Sequence, residues 1–273
     1  MDLSIAVVSY NTRDLLLDCL QSVRDRTADV DYELIVVDNA SRDGSVEAVR
    51  AGFPDVTVLA NAENVGFARA CNQAASVSSG RYLLLLNSDT IMQKSALRTM
   101  VTCLDRHLDV GAVSCLQRDA DGRVLQSCFP FPSIRDHVRH AEELPMILRR
   151  LAGTVPPMDF TTTRDVDWAN GACLMIRKAV FERLGGLDER FFMYFEDVDV
   201  CRRVQQLGYR VRHVAEAEVV HLLGGSSRTN RHGLNKQWEL SRIRYVEKHF
   251  EQPRRFLMKG GIDTSSMMKA VLK

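Results

Sequence analysis

The sequence contains no long apolar run and no excess of charge of either sign. Its longest purely aliphatic run covers residues 83–86, whereas a membrane-spanning helix needs about 20 apolar residues, so we expect no such helix. Lys and Arg number 36 against 35 Asp and Glu, a net charge of +1. Without an overall positive field, the chain is not expected to bind nucleic acid. No basic region or cleavable apolar segment precedes the first strand-like residues, and we therefore expect a cytoplasmic protein.

Two further signals, for a structural framework and for a cofactor, are also missing. The seven cysteines are odd in number and include no C-x-x-C pair, which predicts small buried apolar residues rather than a zinc site or a disulfide framework. No G-x-G-x-x-G follows the first predicted strand, and no Gly-Lys pair occurs. A dinucleotide-binding dehydrogenase and a P-loop kinase are therefore not expected.

The sequence does contain an alternation of strand and helix patterns. Its 273 residues, 45% of them apolar, suffice for a sizeable α/β core in one or two domains. Short connections between these patterns over residues 1–115 predict a mostly parallel sheet with helices on both faces. The predicted strands of this half cover residues 3–9, 33–38, 56–59, 82–87 and 111–116.

A change of pattern separates the second half of the chain. A turn signal at residues 119–122 precedes a proline-rich, basic stretch at 129–164, which is interpreted as an insertion over the sheet edge. The elements predicted after it are strands at 172–176, 209–213 and 218–221 and helices at 179–184, 197–207 and 236–249. The predicted organisation is one domain over 1–250, with halves at 1–116 and 117–235, and a basic tail at 251–273.

Polar residues follow the predicted strands at the edge where open parallel sheets bind ligands. They are Ser9, Tyr10 and Asn11 after the first strand, Asp38 after the second and Asn87, Ser88 and Asp89 after the fourth. Asp38 either caps the following helix or accepts a hydrogen bond from a base or a ribose. Asp89 either caps a helix or holds a divalent cation that binds a diphosphate. The combination of the two aspartates favours a ligand site.

An acidic turn opens the predicted helix at 197–207. Asp197 precedes the first apolar positions of that helix by three and four residues, which directs its carboxylate inward at the positive end of the helix. It is interpreted either as an ordinary acidic first turn or as a general base for a hydroxyl. Asp199 is expected to cap the helix or face solvent. His221, which ends a strand beside a glycine-serine loop, is either structural or completes a metal site with Asp89.

Six short segments occur in a recognisable order. They are V-V-D-N-A-S-R-D-G-S at 36–45, N-V-G-F-A at 64–68, N-Q at 72–73, N-S-D-T at 87–90, N-G-A at 170–172 and F-E-D-V-D at 195–199. This order resembles family 2 glycosyltransferases, in particular the rhamnosyltransferase-like branch, over about residues 3–250. The resemblance implies a GT-A fold, a nucleotide-diphosphate sugar donor, a divalent metal (Mg²⁺ or Mn²⁺) and inversion at the anomeric carbon.

The resemblance also implies roles for individual residues. The base and ribose would be held by Ser9, Tyr10, Asn11 and Asp38, and the rest of the donor site would comprise Asn64, Gly66, Asn72, Asn87 and Ser88. The metal would be bound by Asp89, the remaining carboxylate of the family's D-x-D motif, and His221. Asp197 would deprotonate the acceptor hydroxyl, with the acceptor side lined by Trp168, Asn170, Gly171 and Glu196. The first Asp of D-x-D is Asn87 here, which leaves fewer charges to hold a cation.

The implied partners are a dTDP- or UDP-sugar, with rhamnose indicated by the branch, and a bacterial surface-glycan or lipid-linked acceptor. An apolar and basic segment at 134–151 and the tail residues 254–258 have two interpretations. They contact the inner face of a membrane that carries the acceptor, or they pack on the protein itself or on a second subunit of a homo-oligomer.

Two other functions compete with glycosyl transfer. A nucleotidyltransferase of similar α/β pattern should carry a glycine-rich basic loop after the first strand, and residues 9–12 do not form one. A catalytically silent glycan-binding scaffold of the same fold should have lost the base or the metal carboxylate. Both Asp89 and Asp197 are present, which favours the enzyme.

Overall fold

A nine-stranded mixed sheet organises the fold in a computed structural model, which describes residues 1–133, 159–223 and 231–251. The strands are β1 (Leu3–Ser9), β2 (Tyr32–Asp38), β3 (Thr57–Ala60), β4 (Tyr82–Asn87), β5 (Thr90–Met92), β6 (Val110–Arg118), β7 (Cys128–Phe129), β8 (Arg164–Val166), β9 (Trp168–Ala169), β10 (Cys173–Arg177) and β11 (Arg210–His221). The sheet order is β3-β2-β1-β4-β10-β6-β11-β5, with β8 paired to β11. Strands β7 and β9 form a separate two-stranded sheet.

Helices cover both faces of the large sheet. They are α1 (Arg13–Arg26), α2 (Ser45–Gly52), α3 (Phe67–Val77), α4 (Ala96–Arg106), α5 (Lys178–Arg183), α6 (Glu196–Gln206) and α7 (Arg231–His249). Ile5 and Val7 face an apolar cluster that includes α1 and α4, whereas Ala6 between them faces a second cluster that includes α3 and α6. Because both faces are covered, the central residues of β1, β2 and β4 are buried and mostly apolar.

The expected α/β fold with a mainly parallel sheet is confirmed. Pairing is parallel through β3-β2-β1-β4 and between β6 and β11, and the antiparallel strands β5, β8 and β10 make the sheet mixed. Six of the seven cysteines are buried and all are free thiols, as expected. Within the described part of the chain, we find no helix with the length and apolar character needed to span a bilayer.

The prediction of two strands at 209–213 and 218–221 is wrong. The structure has one strand, β11, which pairs with β6 on both sides of a register shift between Val214 and Glu218. This irregularity absorbs the residues that broke the expected pattern, and Ala217 within it remains buried. The short strands β5, β7, β8 and β9 were also not predicted, since two or three residues carry too little periodicity to be recognised.

Several predicted segments lie outside the described residues. They are most of the insertion, including the apolar and basic segment at 134–151, the glycine-serine loop at 224–227, and the tail from 252 onward. The predicted surfaces for a membrane or a second subunit are therefore untested.

A glycine packed against the first strand should be essential for stability. A Cβ on Gly80 would lie 2.5 Å from the backbone nitrogen of Ser4 and 2.6 Å from the carbonyl carbon of Leu3. We expect Gly80→Ala to lower the free energy of unfolding by about 1–3 kcal/mol, measured by urea unfolding. Gly52→Ala is the control, because a Cβ there meets nothing within 4 Å at the end of α2. Equal effects of the two substitutions would contradict this account.

Candidate active site

The loops that follow β1 and β2 are joined by hydrogen bonds of Asn11. Its backbone N–H donates to Ser41 Oγ at 2.9 Å, and its side-chain Oδ1 accepts the Arg42 N–H at 2.8 Å. Asn11 has a φ of 53°, a left-handed conformation that Asn adopts more readily than most residues. Asn11 thus shapes the rim of the predicted nucleotide pocket, where the neighbouring Tyr10 is 41% exposed.

Asp38, at the end of β2, has one carboxylate oxygen that is not satisfied by the protein. The residue is 2% exposed, and its Oδ1 accepts the Ser41 N–H at 2.8 Å. Its Oδ2 is buried and has no hydrogen-bond partner among the described residues. Helix α2 begins at Ser45 without a side-chain cap, so the helix-capping interpretation of Asp38 is wrong. A buried acceptor without a donor is costly, and a bound ligand could supply that donor.

A network of amide side chains supports the loop between β3 and α3 beside Asp38. Asn61 Nδ2 donates to Asn39 Oδ1 at 3.0 Å and to Gln73 Oε1 at 2.9 Å, and Asn39 Nδ2 donates to the Gly66 carbonyl at 3.2 Å. Asn64 Oδ1 accepts the Gly66 N–H at 3.0 Å. The network fixes the loop that contains Asn64 and Gly66 against the end of β2.

Three hydroxyl groups connect the end of β1 to the end of β4. Ser9 Oγ lies 3.1 Å from Thr12 Oγ1, which lies 2.9 Å from Ser88 Oγ. All three residues are buried. Thr12 therefore positions Ser88, the residue directly before Asp89.

Asp89 and His221 lie side by side, as the resemblance implied. The antiparallel pairing of β5 with β11 aligns Thr90 with His221, and the Leu222 N–H donates to the Asp89 carbonyl at 2.9 Å. His221 Nε2 is consequently 3.1 Å from Asp89 Oδ1. Helix α4 begins after Ser95, so Asp89 does not cap it.

The donor atoms at Asp89 and His221 suit a cation that is shared with a ligand. A carboxylate oxygen and an imidazole nitrogen are suitable ligands for Mn²⁺, and Mg²⁺ is commonly bound by one or two carboxylates together with substrate phosphates. No group of three His, Cys, Asp or Glu side chains able to hold a metal occurs within residues 1–133, 159–223 and 231–251. Asp89 and His221 could therefore supply two ligands to a divalent cation, and the others would have to come from outside these side chains.

The antiparallel strand β10 brings Asp197 to this same edge. Cys173 at the start of β10 pairs with Leu86 near the end of β4, and the Asn87 N–H donates to the Ala172 carbonyl at 3.0 Å. The adjacent Gly171 N–H donates to Asp197 Oδ2 at 3.1 Å. Asp197, the predicted base, is thus connected to the loop that contains Asp89 through Gly171 and Ala172, with one hydrogen bond at each end.

Burial makes Asp197 a suitable proton acceptor near neutral pH. Its Oδ1 accepts the Val198 N–H at 2.8 Å, in addition to the bond from Gly171 to Oδ2. Burial raises the pKa of Asp197 to about 6, although both backbone bonds oppose this shift. A carboxylate with this pKa is ionised at neutral pH and is a stronger base than an ordinary aspartate.

Glu196 is a second buried acid beside Asp197. It is 6% exposed, and its Oε2 has no hydrogen-bond partner among the described residues. Burial raises the pKa of Glu196 well above its ordinary value, and the nearby charges of Asp197 and Asp199 add to the effect. Glu196 therefore holds its proton more strongly than an ordinary glutamate does.

Two predicted acceptor-side residues have structural partners. Trp168 Nε1 donates to the Pro130 carbonyl at 2.9 Å, and its ring stacks on Phe129 at 4.6 Å between centroids. Asn170 exchanges two side-chain hydrogen bonds with Gln117, at 2.7 and 3.3 Å. These contacts fix the strand β9 and the turn that presents Gly171 to Asp197.

Gly66 and Asn72, which the resemblance assigns to the donor site, contact the segment that precedes Asp197. A Cβ on Gly66 would lie 2.4 Å from the Phe192 carbonyl oxygen, which accepts the Phe67 N–H at 2.7 Å. Asn72 donates to the Leu187 carbonyl at 2.9 Å and accepts the Leu187 N–H at 2.8 Å. The amide of Asn72 thus holds the segment that precedes Asp197, and its place in the donor site stays a prediction.

The expectation that Asp199 caps the helix or faces solvent is wrong. Asp199 is completely buried and lies within 2.7 Å of donor atoms on Arg203, Lys248 and His249. The pattern of α6 alone gives no sign of α7, which supplies two of these partners.

Thr12, Asn39, Asn61 and Gln73 were not assigned to the site. Asn61 directly follows β3, so the rule of polar strand ends could have identified it. Gln73 lies within α3 and carries no comparable signal.

The raised pKa of Asp197 should make the folded protein less stable as pH rises. The folded state binds this proton more tightly than the unfolded state, so stability falls between about pH 4 and 6. A shift of about 2 pKa units corresponds to about 3 kcal/mol, and Asn accepts only one of the two backbone bonds, which costs about 1 kcal/mol. We therefore expect Asp197→Asn to unfold at higher urea concentration than the wild type at pH 8, with a smaller difference at pH 5.

Asp165→Asn is the control for this experiment. Asp165 accepts hydrogen bonds from Arg210 and Arg212 at 2.6 and 2.7 Å. Although burial opposes it, these arginines lower the pKa of Asp165, so its substitution should destabilise the fold at pH 8. An Asp197→Asn variant that is less stable than the wild type at pH 8 would contradict the raised pKa.

Comparison with known proteins identifies relatives in sequence and in fold. An N-acetylglucosaminyl-diphospho-decaprenol L-rhamnosyltransferase of Mycobacterium tuberculosis (strain ATCC 25618 / H37Rv) is 30% identical over 201 residues, covering 69% of this chain and 66% of the relative. The rhamnosyltransferase WbbL of Escherichia coli (strain K12) is 28% identical over 172 residues, covering 61% and 62%. The chain thus spans about two thirds of the length of these curated relatives.

A solved structure supports the fold independently. The mannosyltransferase PcManGT of Pyrobaculum calidifontis, in complex with GDP-Man and Mn²⁺, matches 95% of this chain and 69% of its own with a TM-score of 0.64 and 20% identity. This likeness confirms the expected GT-A fold. The family model for glycosyl transferase family 2 matches residues 4–185, a range that includes Asp38 and Asp89. The chain belongs to glycosyl transferase family 2.

Proposed function

We propose that this chain transfers a sugar from a nucleotide-diphosphate donor to an acceptor hydroxyl, with inversion at the anomeric carbon. One observation carries the proposal: the antiparallel pairing of β10 with β4 links Asp197, through Gly171 and Ala172, to the loop of Asp89. A base and a phosphate-neutralising group are the two functions that such a transfer requires. The raised pKa of Asp197 supports its role as the base.

In the proposed reaction, Asp197 acts on the acceptor. The acceptor oxygen forms a bond to the anomeric carbon, and its proton moves to the Asp197 carboxylate. The bond from the anomeric carbon to the diphosphate oxygen breaks, and its electron pair leaves with the nucleoside diphosphate. A single base on the face opposite the leaving group is sufficient for inversion.

The proposed donor is a dTDP- or UDP-sugar, with dTDP-rhamnose as the first choice. The Oδ2 of Asp38, which has no partner among the described residues, is suited to accept a hydrogen bond from a hydroxyl of the nucleoside's sugar or from an N–H of its pyrimidine base. The exposed ring of Tyr10, on the rim shaped by Asn11, is available to stack on that base. Two relatives named as rhamnosyltransferases support rhamnose as the transferred sugar.

Asp89 and His221 are the residues that would hold a divalent cation, either Mg²⁺ or Mn²⁺. Such a cation neutralises negative charge that develops on a diphosphate leaving group. The Mn²⁺ in the structure of the Pyrobaculum relative supports a metal for this fold.

The proposed acceptor is a lipid-linked glycan. The name of the Mycobacterium relative describes an acceptor sugar on a diphospho-decaprenol. An acceptor of this kind is presented at a membrane surface, so we propose that the chain works there as a peripheral protein on the cytoplasmic side.

The alternative of a silent scaffold has little support. The buried Oδ2 of Asp38 without a partner and the raised pKa of Asp197 both cost stability in the described structure. Sites that reduce stability in this way are typical of catalysis and ligand binding rather than of passive packing.

Substitution of Asp197 tests the proposed base. With dTDP-rhamnose, UDP-sugars and an N-acetylglucosaminyl-diphospho-lipid, we expect Asp197→Asn to lower kcat by about 10²–10⁴-fold while donor binding is retained. The carboxylate must be ionised to act, so wild-type kcat/KM should fall as pH drops below about 6. Transfer is measured by the mass of the product, with Asp165→Asn as the control. An active Asp197→Asn variant would show that another group is the base.

Removal of the metal or its ligands tests the second part of the site. We expect EDTA to abolish stabilisation by dTDP or UDP in a thermal-shift assay, and Mn²⁺ or Mg²⁺ to restore it. Asp89→Ala and His221→Ala should weaken metal-dependent nucleotide binding by about 10–100-fold, since each removes a ligand. His107→Ala is the control because His107 lies at the exposed end of α4. Unchanged metal dependence in both variants would overturn the assignment.

A further inference from the structure

The segment that leads into Asp197 has an unfavourable backbone conformation. Tyr194 and Phe195 both have a φ of 68°, in the left-handed region that residues other than Gly and Asn rarely adopt. Two such residues in succession persist only where surrounding contacts hold them. They directly precede Glu196 and Asp197, so whatever holds them also determines where the base lies.

One end of this segment is held by the donor half of the fold. The Phe192 carbonyl accepts the Phe67 N–H at 2.7 Å, and Gly66 allows the close approach. This contact orients residues 190–192 but leaves the two strained residues to be held by other groups.

Helix α7 contacts this segment at several residues between Arg190 and Phe195. Ser241 Oγ donates to the Met193 carbonyl at 2.8 Å, and Arg244 donates to the Arg190 carbonyl. The Phe195 ring packs against the rings of Trp238 and Tyr245, each with a centroid distance of 5.5 Å.

Asp199 connects the end of α7 to the first turn of α6. It is completely buried and accepts Arg203 Nε at 2.7 Å, from its own helix. The other two partners come from α7: Lys248 Nζ at 2.7 Å and His249 Nε2 at 2.6 Å. Lys248 also contacts Asp188 at 2.7 Å. Asp199 lies two residues after Asp197, in the same helical turn, so a shift of the backbone of this turn moves both residues.

We propose that Asp199, Lys248 and His249 are positioning residues, which tie α7 to the start of α6 and hold Asp197 at the distance that transfer requires. The proposal rests on the proposed function, in which Asp197 is the base. It gives the last two residues of α7 a role in positioning the base, although that helix lies beyond residues 4–185 of the family match. Asp197 remains the catalytic residue, since it is the group that touches the acceptor.

The experiment compares two substitutions of His249 in the full chain. His249→Ala removes the donor to Asp199, whereas His249→Gln retains a side-chain N–H. Glu239→Gln is the matched control, because Glu239 lies on the same helix and pairs with Arg242. Asp199→Asn is a harsher change, because it removes the negative charge that faces Arg203 and Lys248. The comparison of the two His249 variants keeps the test valid if Asp199→Asn does not fold.

We expect a split between kcat and donor KM. His249→Ala should lower kcat by about 100-fold, the effect of a displacement of about 1 Å in a catalytic group, with donor KM and nucleotide Kd within about twofold of wild type. His249→Gln should recover most of kcat, and Glu239→Gln should match the wild type. Wild-type kcat in His249→Ala, an equal loss of donor binding, or a Gln variant as poor as the Ala variant would overturn the proposal.

Hydrogen exchange separates this proposal from the proposed function. Backbone amides of residues 190–198 should exchange faster in His249→Ala than in His249→Gln or Glu239→Gln. If the wild type transfers no sugar, the proposed function fails, yet equal exchange in all three variants would still overturn the positioning role. If the wild type transfers sugar and His249→Ala is unaffected, the positioning role alone fails.

Discussion

The antiparallel pairing of β10 with β4 is the constraint on which the site depends. It places the beginning of one strand beside the end of the other, with Cys173 opposite Leu86. Had the five residues of β10 run parallel to β4, its beginning would lie about 17 Å away, at the opposite edge of the sheet. Gly171 could then not bond to Asp197 near the loop of Asp89. The direction of this one strand therefore brings Asp197 and the loop of Asp89 to the same edge of the sheet.

The site also costs stability, which the rest of the fold must offset. Asp38 keeps a buried oxygen without a partner, and Glu196 and Asp197 lie close together in a buried first turn. The compensation comes from a sheet that is covered on both faces, where alternate residues of each central strand enter different apolar clusters. Because this core does not depend on the strand-end loops, those loops can retain unsatisfied groups.

Most of the sheet and the polar residues at its carboxyl edge could be predicted from the sequence, since both follow from local patterns. Continuous apolar runs identified β1, β2 and β4, and the polar residues at their ends identified Asp38 and Asp89. The residue pattern left open whether His221 is structural or lies beside Asp89, because their proximity depends on β5, a strand of three residues. The burial of Asp199 could not be predicted, since its partners come from a helix about 50 positions later. Long-range contacts of this kind leave no periodic signal.

Residues in recognisable motifs need not contact the ligand. Gly66 admits the Phe192 carbonyl, and Asn72 binds both polar groups of the Leu187 backbone. Asp199 ties the same part of the chain to α7, through Lys248 and His249. All three contact or belong to one segment, residues 186–199, which contains Asp197. In the proposed enzyme the strand ends supply the donor-binding groups, and this segment sets the position of the base. In the proposed enzyme, a residue of a motif either reacts or binds the ligand itself, or it holds the backbone that positions the residue that does so.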